Sequence, residues 1–243
     1  LIYESYVSPK ETINVNTIGT LNILEISRNL KRLKSLVCVT SDKCYKSNNS
    51  TKGFRENDVL GGEDPYSASK ASAEIIINSY IKSYFLKSNI GVSSARAGNV
   101  IGGGDWSAKR LIPDIVRSIL TNKKIIIRNP NYNRPWQHVL EPLYGYLLLA
   151  KKLAQNPKKY SGAYNFGPKP NTITSVLKVV NIFINYWGKG SYKIKGSSYY
   201  EQPNLQLNIN KAKTMLNYKP SLSMKESIIL TAAWYKNIKQ LKL

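Results

Sequence analysis

Residues 35–40 read Ser35-Leu36-Val37-Cys38-Val39-Thr40, a short run of apolar and β-branched residues without a charge. Such a run is typical of a strand in the middle of a parallel sheet, where both faces are covered. Apolar residues at helical spacing predict helices over 12–30 and 67–84, and a second strand is predicted over 89–96. This alternation favours an α/β fold built from parallel βαβ units.

The later part of the chain continues the alternation. Helices are predicted over 112–120 and 140–153, and strands over 125–128 and 163–166. The C-terminal third is more mixed, and its last helix begins with Ser223-Met224-Lys225-Glu226, the pattern of a capping box.

Composition limits the classes of function. The 243 residues carry 36 Lys and Arg against 14 Asp and Glu, a net charge of +22, but the lysines are scattered through every segment. We therefore expect a solvated cationic surface that attracts a polyanionic substrate and not a nucleic-acid site. No apolar stretch has the length of a membrane span, so we expect a cytoplasmic protein without a membrane partner. Cys38 and Cys44 lack metal-ligand spacing, and no metal site is expected.

The segment Tyr66-Ser67-Ala68-Ser69-Lys70 places a tyrosine and a lysine four residues apart, on one face of the predicted helix. An ammonium group beside a phenol stabilises the phenolate and lowers a pKa that starts near ~10, which makes a tyrosine a usable base. Taken alone, the spacing fits the start of an ordinary amphipathic helix equally well.

A second polar group, Thr40-Ser41-Asp42-Lys43, stands at the C-terminal end of the predicted strand, where open α/β sheets bind ligands. A serine there can hydrogen-bond the substrate hydroxyl that the tyrosine deprotonates, and Asp42 and Lys43 can act as acid and base. The alternatives are a cap or turn for Asp42 and a solvent-facing charge for Lys43.

A hydroxyl at a strand end followed by Tyr-x-x-x-Lys resembles the extended short-chain dehydrogenase/reductases, and the resemblance runs along the whole chain. Residues 40–45, 96–106 and 134–139 are most similar to the 4,6-dehydratases of that superfamily that act on CDP-glucose. Dehydratases for dTDP-glucose usually have Thr-Asp-Glu where this chain has Ser41-Asp42-Lys43, and epimerases usually lack the acid and base pair.

The resemblance implies an NAD-dependent enzyme with a Rossmann-like doubly wound parallel sheet and a smaller C-terminal α/β substrate domain. We expect the remainder of the NAD-binding domain in residues 1–105 and the substrate domain mainly in 106–243, with 123–170 partly returning to the sheet. The glycine-rich turn that holds the NAD pyrophosphate in this superfamily does not occur here. We therefore expect the first strands of the sheet in a segment before Leu1.

The implied reaction removes water from CDP-glucose, or a similar nucleotide sugar, to give a 4-keto-6-deoxy sugar for surface polysaccharides. Tyr66, assisted by Ser41 and Lys70, would take the proton of the C4 hydroxyl as hydride passes to NAD⁺. Lys43 would then take the C5 proton while Asp42 protonates the departing C6 hydroxyl, and hydride would return to C6.

The resemblance also assigns ligand contacts. The residues expected to hold NAD are Tyr66, Lys70, Asn16 and Ala97. Those expected to hold the substrate are Asn99, Arg110 and Arg134, since guanidinium donors suit a diphosphate. The alternatives are an ordinary helix residue for Asn16, a loop-stabilising amide for Asn99 and surface cations for the two arginines.

Other interpretations of the whole chain stay open. It could be a truncated, catalytically impaired family member that serves binding or assembly, or a dehydratase or epimerase for another sugar nucleotide. The resemblance further implies a homodimer through the helix of Tyr66 and its neighbour. His138, the lone histidine, is expected to be structural.

Overall fold

The computed structural model describes residues 2–47, 53–169, 174–196 and 206–238. They form two compact units, each assembled from three stretches of chain. Unit 1 comprises Leu1–Gly98, Pro142–Gly167 and Gln206–Lys219, and unit 2 comprises Asn99–Glu141, Pro168–Leu205 and Pro220–Leu243. No described helix has the length and apolarity to cross a membrane.

The elements are numbered here in chain order. The helices are α1 (Ile2–Val7), α2 (Pro9–Ile13), α3 (Gly19–Arg28), α4 (Pro65–Ser83), α5 (Leu111–Leu120), α6 (Leu140–Gln155), α7 (Pro157–Tyr160), α8 (Val176–Trp187), α9 (Asn210–Leu216) and α10 (Met224–Ile238). The strands are β1 (Ser35–Val39), β2 (Gly91–Ala97), β3 (Val100–Ile101), β4 (Ile125–Ile127), β5 (Asn133–Arg134), β6 (Gln137–His138), β7 (Gly162–Phe166), β8 (Thr174–Ser175) and β9 (Tyr192–Ile194).

Unit 1 contains a parallel sheet in the order β1-β2-β7, which confirms the predicted fold class. The strand buried on both faces is β2, in which every residue except Ala97 is buried. The sequence predicted that position for residues 35–40, but β1 pairs on one side only among the described residues and its side chains are half-buried or exposed. The apolar composition of a segment shows that its side chains can be buried. It does not show how many neighbouring strands pair with it.

Helices pack on both faces of this sheet. On one face, apolar residues of α3, α4 and β2 form a cluster that includes Leu24, Ile77 and Val92. On the other face, residues of α6, α9, β2 and β7 form a cluster that includes Leu149, Phe166 and Leu216. Burial of these side chains, at about 1.5–3 kcal/mol each, is the main stabilisation of the unit.

The stretch 206–219 also reaches the loop that precedes α4. Phe54 N–H donates to the Gln206 carbonyl and the Phe54 carbonyl accepts from Asn208 N–H, each at 2.8 Å, so that Phe54 and Leu207 form a parallel bridge. A distant part of the chain is therefore hydrogen-bonded into unit 1. The polar, glycine-containing sequence of residues 47–63 predicts a long loop, and residues 48–52 of that stretch lie outside the described residues.

The helix predicted over 12–30 is interrupted. Helices α2 and α3 are joined by a π-helical turn, Asn14–Ile18, in which the wider backbone spacing changes the direction of the side chains that follow. The helix predicted over 67–84 is confirmed as α4. It begins with Pro65, and the cap residue Asp64 accepts a hydrogen bond from Ser67 N–H at 2.9 Å.

Unit 2 has its own apolar core, to which α5, α8 and α10 contribute Val116, Phe183 and Tyr235. Short strand pairs surround it: β3 with β6, β4 with β9, and β5 with β8. The predicted capping box is confirmed. Ser223 N–H donates to Glu226 Oε2 at 2.7 Å, and Glu226 N–H donates to Ser223 Oγ at 3.2 Å.

The glycines of the loop after β3 serve packing within unit 2. A Cβ atom added to Gly103 would lie 2.1 Å from the Trp234 ring, and one added to Gly102 would lie 2.7 Å from the Val139 side chain. Among the described residues, the neighbours that leave no room for a side chain at Gly102 and Gly103 are therefore a valine and an indole ring.

Candidate active site

The Ser41-Asp42-Lys43 segment follows β1 and leads into a 3-10 turn, Asp42–Cys44. Ser41 caps this turn. Its Oγ accepts a hydrogen bond from Lys43 N–H at 3.2 Å and donates to Asp42 Oδ1 at 3.1 Å. Ser41 and Asp42 are buried and Lys43 is half-buried. The capping role considered for Asp42 therefore belongs to Ser41.

Tyr66 and Lys70 lie in the first two turns of α4, and both are half-buried. The Lys70 Nζ atom is 6.0 Å from the centre of the Tyr66 ring. Burial lowers the pKa of Lys70, while the charge of Glu74, one turn further along, opposes that change. A phenol and an ammonium group thus share one face of the helix.

Asn16 lies in the π-helical turn and is hydrogen-bonded to α4. Its Nδ2 atom donates to Ser69 Oγ at 3.0 Å, and Thr17 Oγ1 donates to the Ser69 carbonyl at 3.1 Å. Ser69 Oγ in turn donates to the Tyr66 carbonyl at 2.7 Å. The turn therefore fixes the part of α4 that lies between Tyr66 and Lys70.

The two polar groups come together in unit 1. The 3-10 turn packs against α4. Strands β1 and β2 are parallel, and Thr40 N–H donates to the Ala95 carbonyl at 2.9 Å. Ser41, which follows β1, and Ala97, the last residue of β2, therefore lie at the same edge of the sheet. Ligands of open α/β sheets bind at that edge.

The residues expected to hold the substrate belong to unit 2. Asn99 is half-buried, and its carbonyl accepts from Gln137 N–H at 3.1 Å. Arg110, exposed at the start of α5, forms an ion pair with Asp105 at 3.0 Å. Arg134 is buried on β5, with its guanidinium carbon 5.3 Å from the centre of the Tyr132 ring. Arg134 is thus a buried residue and not a surface cation.

His138 and the two cysteines lie outside the catalytic group. His138 is buried on β6, and its Nδ1 atom accepts a hydrogen bond from Leu140 N–H at 3.4 Å. Burial raises the pKa of the Cys38 thiol to about 12 and raises that of Cys44 as well, so both thiols stay protonated. Within the described ranges, His, Cys, Asp and Glu form no group of three or more that could hold a metal ion.

Two charged residues beside the site were given no role from the sequence. Glu74 on α4 and Arg96 on β2 form an ion pair at 2.5 Å, and both side chains are almost fully buried. Two signals could have found them. Glu74 lies one turn after Lys70 on the same helix face, and Arg96 is the lone charge of the strand predicted over 89–96, where a buried charge needs a partner.

The residues of unit 1 fit the nicotinamide and ribose end of NAD. Tyr66 and Lys70 offer a hydroxyl and an ammonium donor that are only half-buried, at the sheet edge where Ala97 ends β2. Asn16 is hydrogen-bonded to Ser69 of the same helix, directly before Lys70. These are the donor types that a ribose with two hydroxyl groups requires.

Comparison with known proteins identifies the family. The model of the GDP-mannose 4,6 dehydratase family matches residues 1–231. The chain belongs to this family. The CDP-glucose 4,6-dehydratase of Salmonella typhimurium is 41% identical over 97% of this chain and 68% of that relative. A dTDP-D-glucose 4,6-dehydratase of Dictyostelium discoideum is 27% identical over 91% of this chain and 59% of its own length.

Solved structures of the dehydratase family agree in fold. The dTDP-glucose 4,6-dehydratase of Bacillus anthracis, solved in complex with NAD, has a TM-score of 0.80 and 27% sequence identity. The match covers 94% of this chain and 70% of that one. The Rossmann-like fold, the membership of the sugar-nucleotide dehydratases and the dependence of this family on NAD, all expected from the sequence, are confirmed.

Proposed function

We propose that this protein catalyses the 4,6-dehydration of CDP-glucose to CDP-4-keto-6-deoxyglucose. The observation that carries the proposal is the packing of the Ser41-Asp42-Lys43 turn against the helix of Tyr66 and Lys70, in a chain 41% identical to a CDP-glucose 4,6-dehydratase. An acid, a base and a lysine-supported phenol at one sheet edge are the groups that this dehydration requires.

The first proton transfer belongs to Tyr66. Its phenolate oxygen takes the proton of the C4 hydroxyl, Ser41 Oγ holds that hydroxyl by a hydrogen bond, and the Lys70 ammonium stabilises the phenolate. NAD, when bound, would supply the hydride chemistry at C4 and C6 of the sugar. Tyr66, Lys70, Asn16 and Ala97 are the residues of this chain that would hold it.

Asp42 and Lys43 carry out the elimination. A ketone at C4 acidifies the C5–H bond, and Lys43 Nζ takes that proton. Once C6 has been reduced, Lys43 Nζ returns a proton to C5, which gives the 4-keto-6-deoxy sugar. The carboxyl group of Asp42 gives a proton to the C6 hydroxyl, which leaves as water. In unit 2, Asn99, Arg110 and Arg134 would hold the nucleotide and diphosphate, for which forked guanidinium donors are suited.

The test is incubation of the protein, expressed from its complete reading frame, with NAD⁺ and separately with CDP-, dTDP- and UDP-glucose and GDP-mannose. We expect CDP-glucose to lose one water and to gain a carbonyl group at C4, observed by mass spectrometry and NMR. If dTDP-glucose lost water faster than CDP-glucose, the assignment of cytosine as the nucleotide base of the substrate would be wrong. A product of unchanged mass that is epimerised at C4 would show that the protein is an epimerase. Binding of a sugar nucleotide without turnover would support a role in binding or assembly.

We also propose a cytoplasmic homodimer that uses α4 and the neighbouring helix α3. Apolar side chains on both helices support this surface: Ile75 on α4 is 58% exposed, and Ile23 and Ile26 on α3 are exposed as well. Sedimentation equilibrium at micromolar concentration should give twice the mass of one chain, and Ile75→Glu should reduce it to that of one chain. A monomeric unmodified protein would refute the dimer.

A further inference from the structure

The strongest unassigned feature of the molecule is the buried ion pair of Glu74 and Arg96. Arg96 Nη2 donates to Glu74 Oε2 at 2.5 Å, and Ser94 Oγ donates to the same oxygen at 2.7 Å. Burial alone would lower the pKa of Arg96, but the hydrogen bond and charge of Glu74 raise it, so the guanidinium stays charged. Such a pair stabilises a fold little compared with apolar residues of equal size, so its presence calls for another reason.

The pair is hydrogen-bonded to both ends of the catalytic turn. Thr40, directly before Ser41, donates from its hydroxyl to Glu74 Oε1. Tyr45, directly after the turn, accepts from Arg96 Nη1 at 2.7 Å. Ser41, Asp42 and Lys43 thus lie between two anchors that meet at one ion pair.

The second anchor is itself held in place. Tyr45 donates its hydroxyl hydrogen to Asn165 Oδ1 at 2.7 Å, and its ring stacks on Phe54 with centres 4.8 Å apart. Burial raises the pKa of Tyr45, with Arg96 opposing, so the phenol remains a donor. Asn165 Nδ2 in turn donates to the Phe54 carbonyl at 2.9 Å. Two hydrogen bonds and a stacked ring therefore hold the side chain of Tyr45.

The same ion pair also belongs to the helix of the catalytic tyrosine. Glu74 follows Lys70 by one turn of α4 and Tyr66 by two, on the same face. Arg96 stands one residue before the end of β2, at the sheet edge where Ala97 is expected to meet the cofactor. One buried contact therefore joins the turn, the helix and the strand that carry the site.

We propose that Glu74 and Arg96 are positioning residues that fix the Ser41-Asp42-Lys43 turn relative to Tyr66 and Lys70, an inference that rests on the proposed dehydration. Asp42 must reach the C6 hydroxyl and Lys43 the C5 proton of one sugar, after Tyr66 has acted on its C4 hydroxyl. If the turn could shift, the Asp42 carboxyl and the Lys43 amine would lie too far from the substrate atoms with which they exchange protons, although both residues would still be present.

Two variants loosen the anchors and leave the ion pair intact. Tyr45→Phe removes the hydroxyl that Arg96 and Asn165 share but keeps the stacked ring, and Thr40→Val removes the hydroxyl bonded to Glu74 at nearly constant volume. Ser93→Ala is the matched control. Ser93 is buried on β2 beside Ser94, but its hydroxyl donates to the Tyr160 carbonyl at 3.0 Å and not to the ion pair.

We expect both anchor variants to lower kcat for CDP-glucose by about 10-fold at a temperature well below unfolding, as misplacement of catalytic groups does, with KM within about twofold. Hydrogen exchange of the Lys43, Cys44 and Tyr45 amides should accelerate in these variants. Ser93→Ala should change neither quantity. A purely structural role would lower the melting temperature of all three variants and leave kcat unchanged below it.

Glu74→Gln extends the test to the ion pair itself and should lower kcat further if it folds. Should it not fold, the two anchor variants still decide the question. An active unmodified protein whose anchor variants keep full kcat, or whose Ser93→Ala variant loses as much, would overturn the positioning role alone. An unmodified protein that turns over no sugar nucleotide would overturn the proposed function instead.

Discussion

Lys70 places its ammonium nitrogen 6.0 Å from the centre of the Tyr66 ring, one turn along α4. The two side chains share a helix face, and the 3-10 turn with Ser41 packs against the same helix. This relationship separates the phenol at position 66 from Tyr80, the other tyrosine of α4, which donates its hydroxyl to Glu25 at 2.5 Å.

Replacing Tyr66 by Phe should therefore lower kcat strongly and leave the fold intact. Loss of a general base lowers kcat by about 10²–10⁴-fold. The control is Tyr80→Phe, which removes a hydroxyl from the same helix on the side of Glu25 and should keep the wild-type rate. Steady-state kinetics with CDP-glucose and the melting temperature of both variants make the comparison. Full activity of Tyr66→Phe would remove the tyrosine from the mechanism.

Lys43→Met should block elimination by removing the proposed base at C5. Product formation should fall by about 10²-fold or more, and so should the entry of solvent deuterium at C5, measured by NMR in D₂O. Lys46 is exposed three residues later, so Lys46→Met alters the charge of the same segment without that loss. Equal rates for the two variants would place the base elsewhere.

Gly103→Ala should destabilise unit 2. Its new methyl group would lie 2.1 Å from the Trp234 ring, and forcing the indole aside costs about 1–3 kcal/mol in free energy of unfolding. Gly196→Ala is the control, because no described atom beyond its chain neighbours lies within 4 Å of a Cβ atom built there. Urea unfolding followed by circular dichroism compares the two variants. Identical midpoints would show that the indole moves freely.

His138 gives the protein an acid-sensitive component. Burial lowers its pKa below the usual 6.5, with Glu141 opposing. In the window just below 6.5 the unfolded chain therefore binds more protons than the folded one, and stability falls as the pH falls through that window. NMR titration of this lone imidazole should give a pKa below 6.5, and His138→Gln should flatten the decline in melting temperature. A pKa above 6.5 would mean that His138 makes the folded protein more stable as the pH falls, which would contradict the prediction.

Local sequence patterns predicted the elements that hold the catalytic residues. The apolar run before Ser41 and the apolar stripe after Tyr66 depend on neighbouring residues, so β1 and α4 were found close to their observed bounds. The family was recognisable because its motifs are also local, as in the segment 40–45. The roles of the individual site residues stay predictions.

Contacts between residues that are distant in the sequence could not be predicted from local patterns. Asn165 is hydrogen-bonded to Phe54 across 111 positions, and no local pattern records such a pair. Glu74 on an amphipathic helix would ordinarily be interpreted as a solvent-facing charge, yet it is 2% exposed. The π-helical turn at Asn16 differs from a regular helix by one residue of spacing, which apolar periodicity does not resolve.

The bridge between Phe54 and Leu207 has a consequence for synthesis. Tyr66 and Lys70 are synthesised well before Ile209, Ala212 and Leu216, which contribute to the apolar cluster on one face of their sheet. Closing such widely separated contacts slows folding, because the chain entropy is lost before the contacts form. During synthesis the residues of the site must therefore wait, with one face of their sheet partly uncovered, until residues 206–219 have been made.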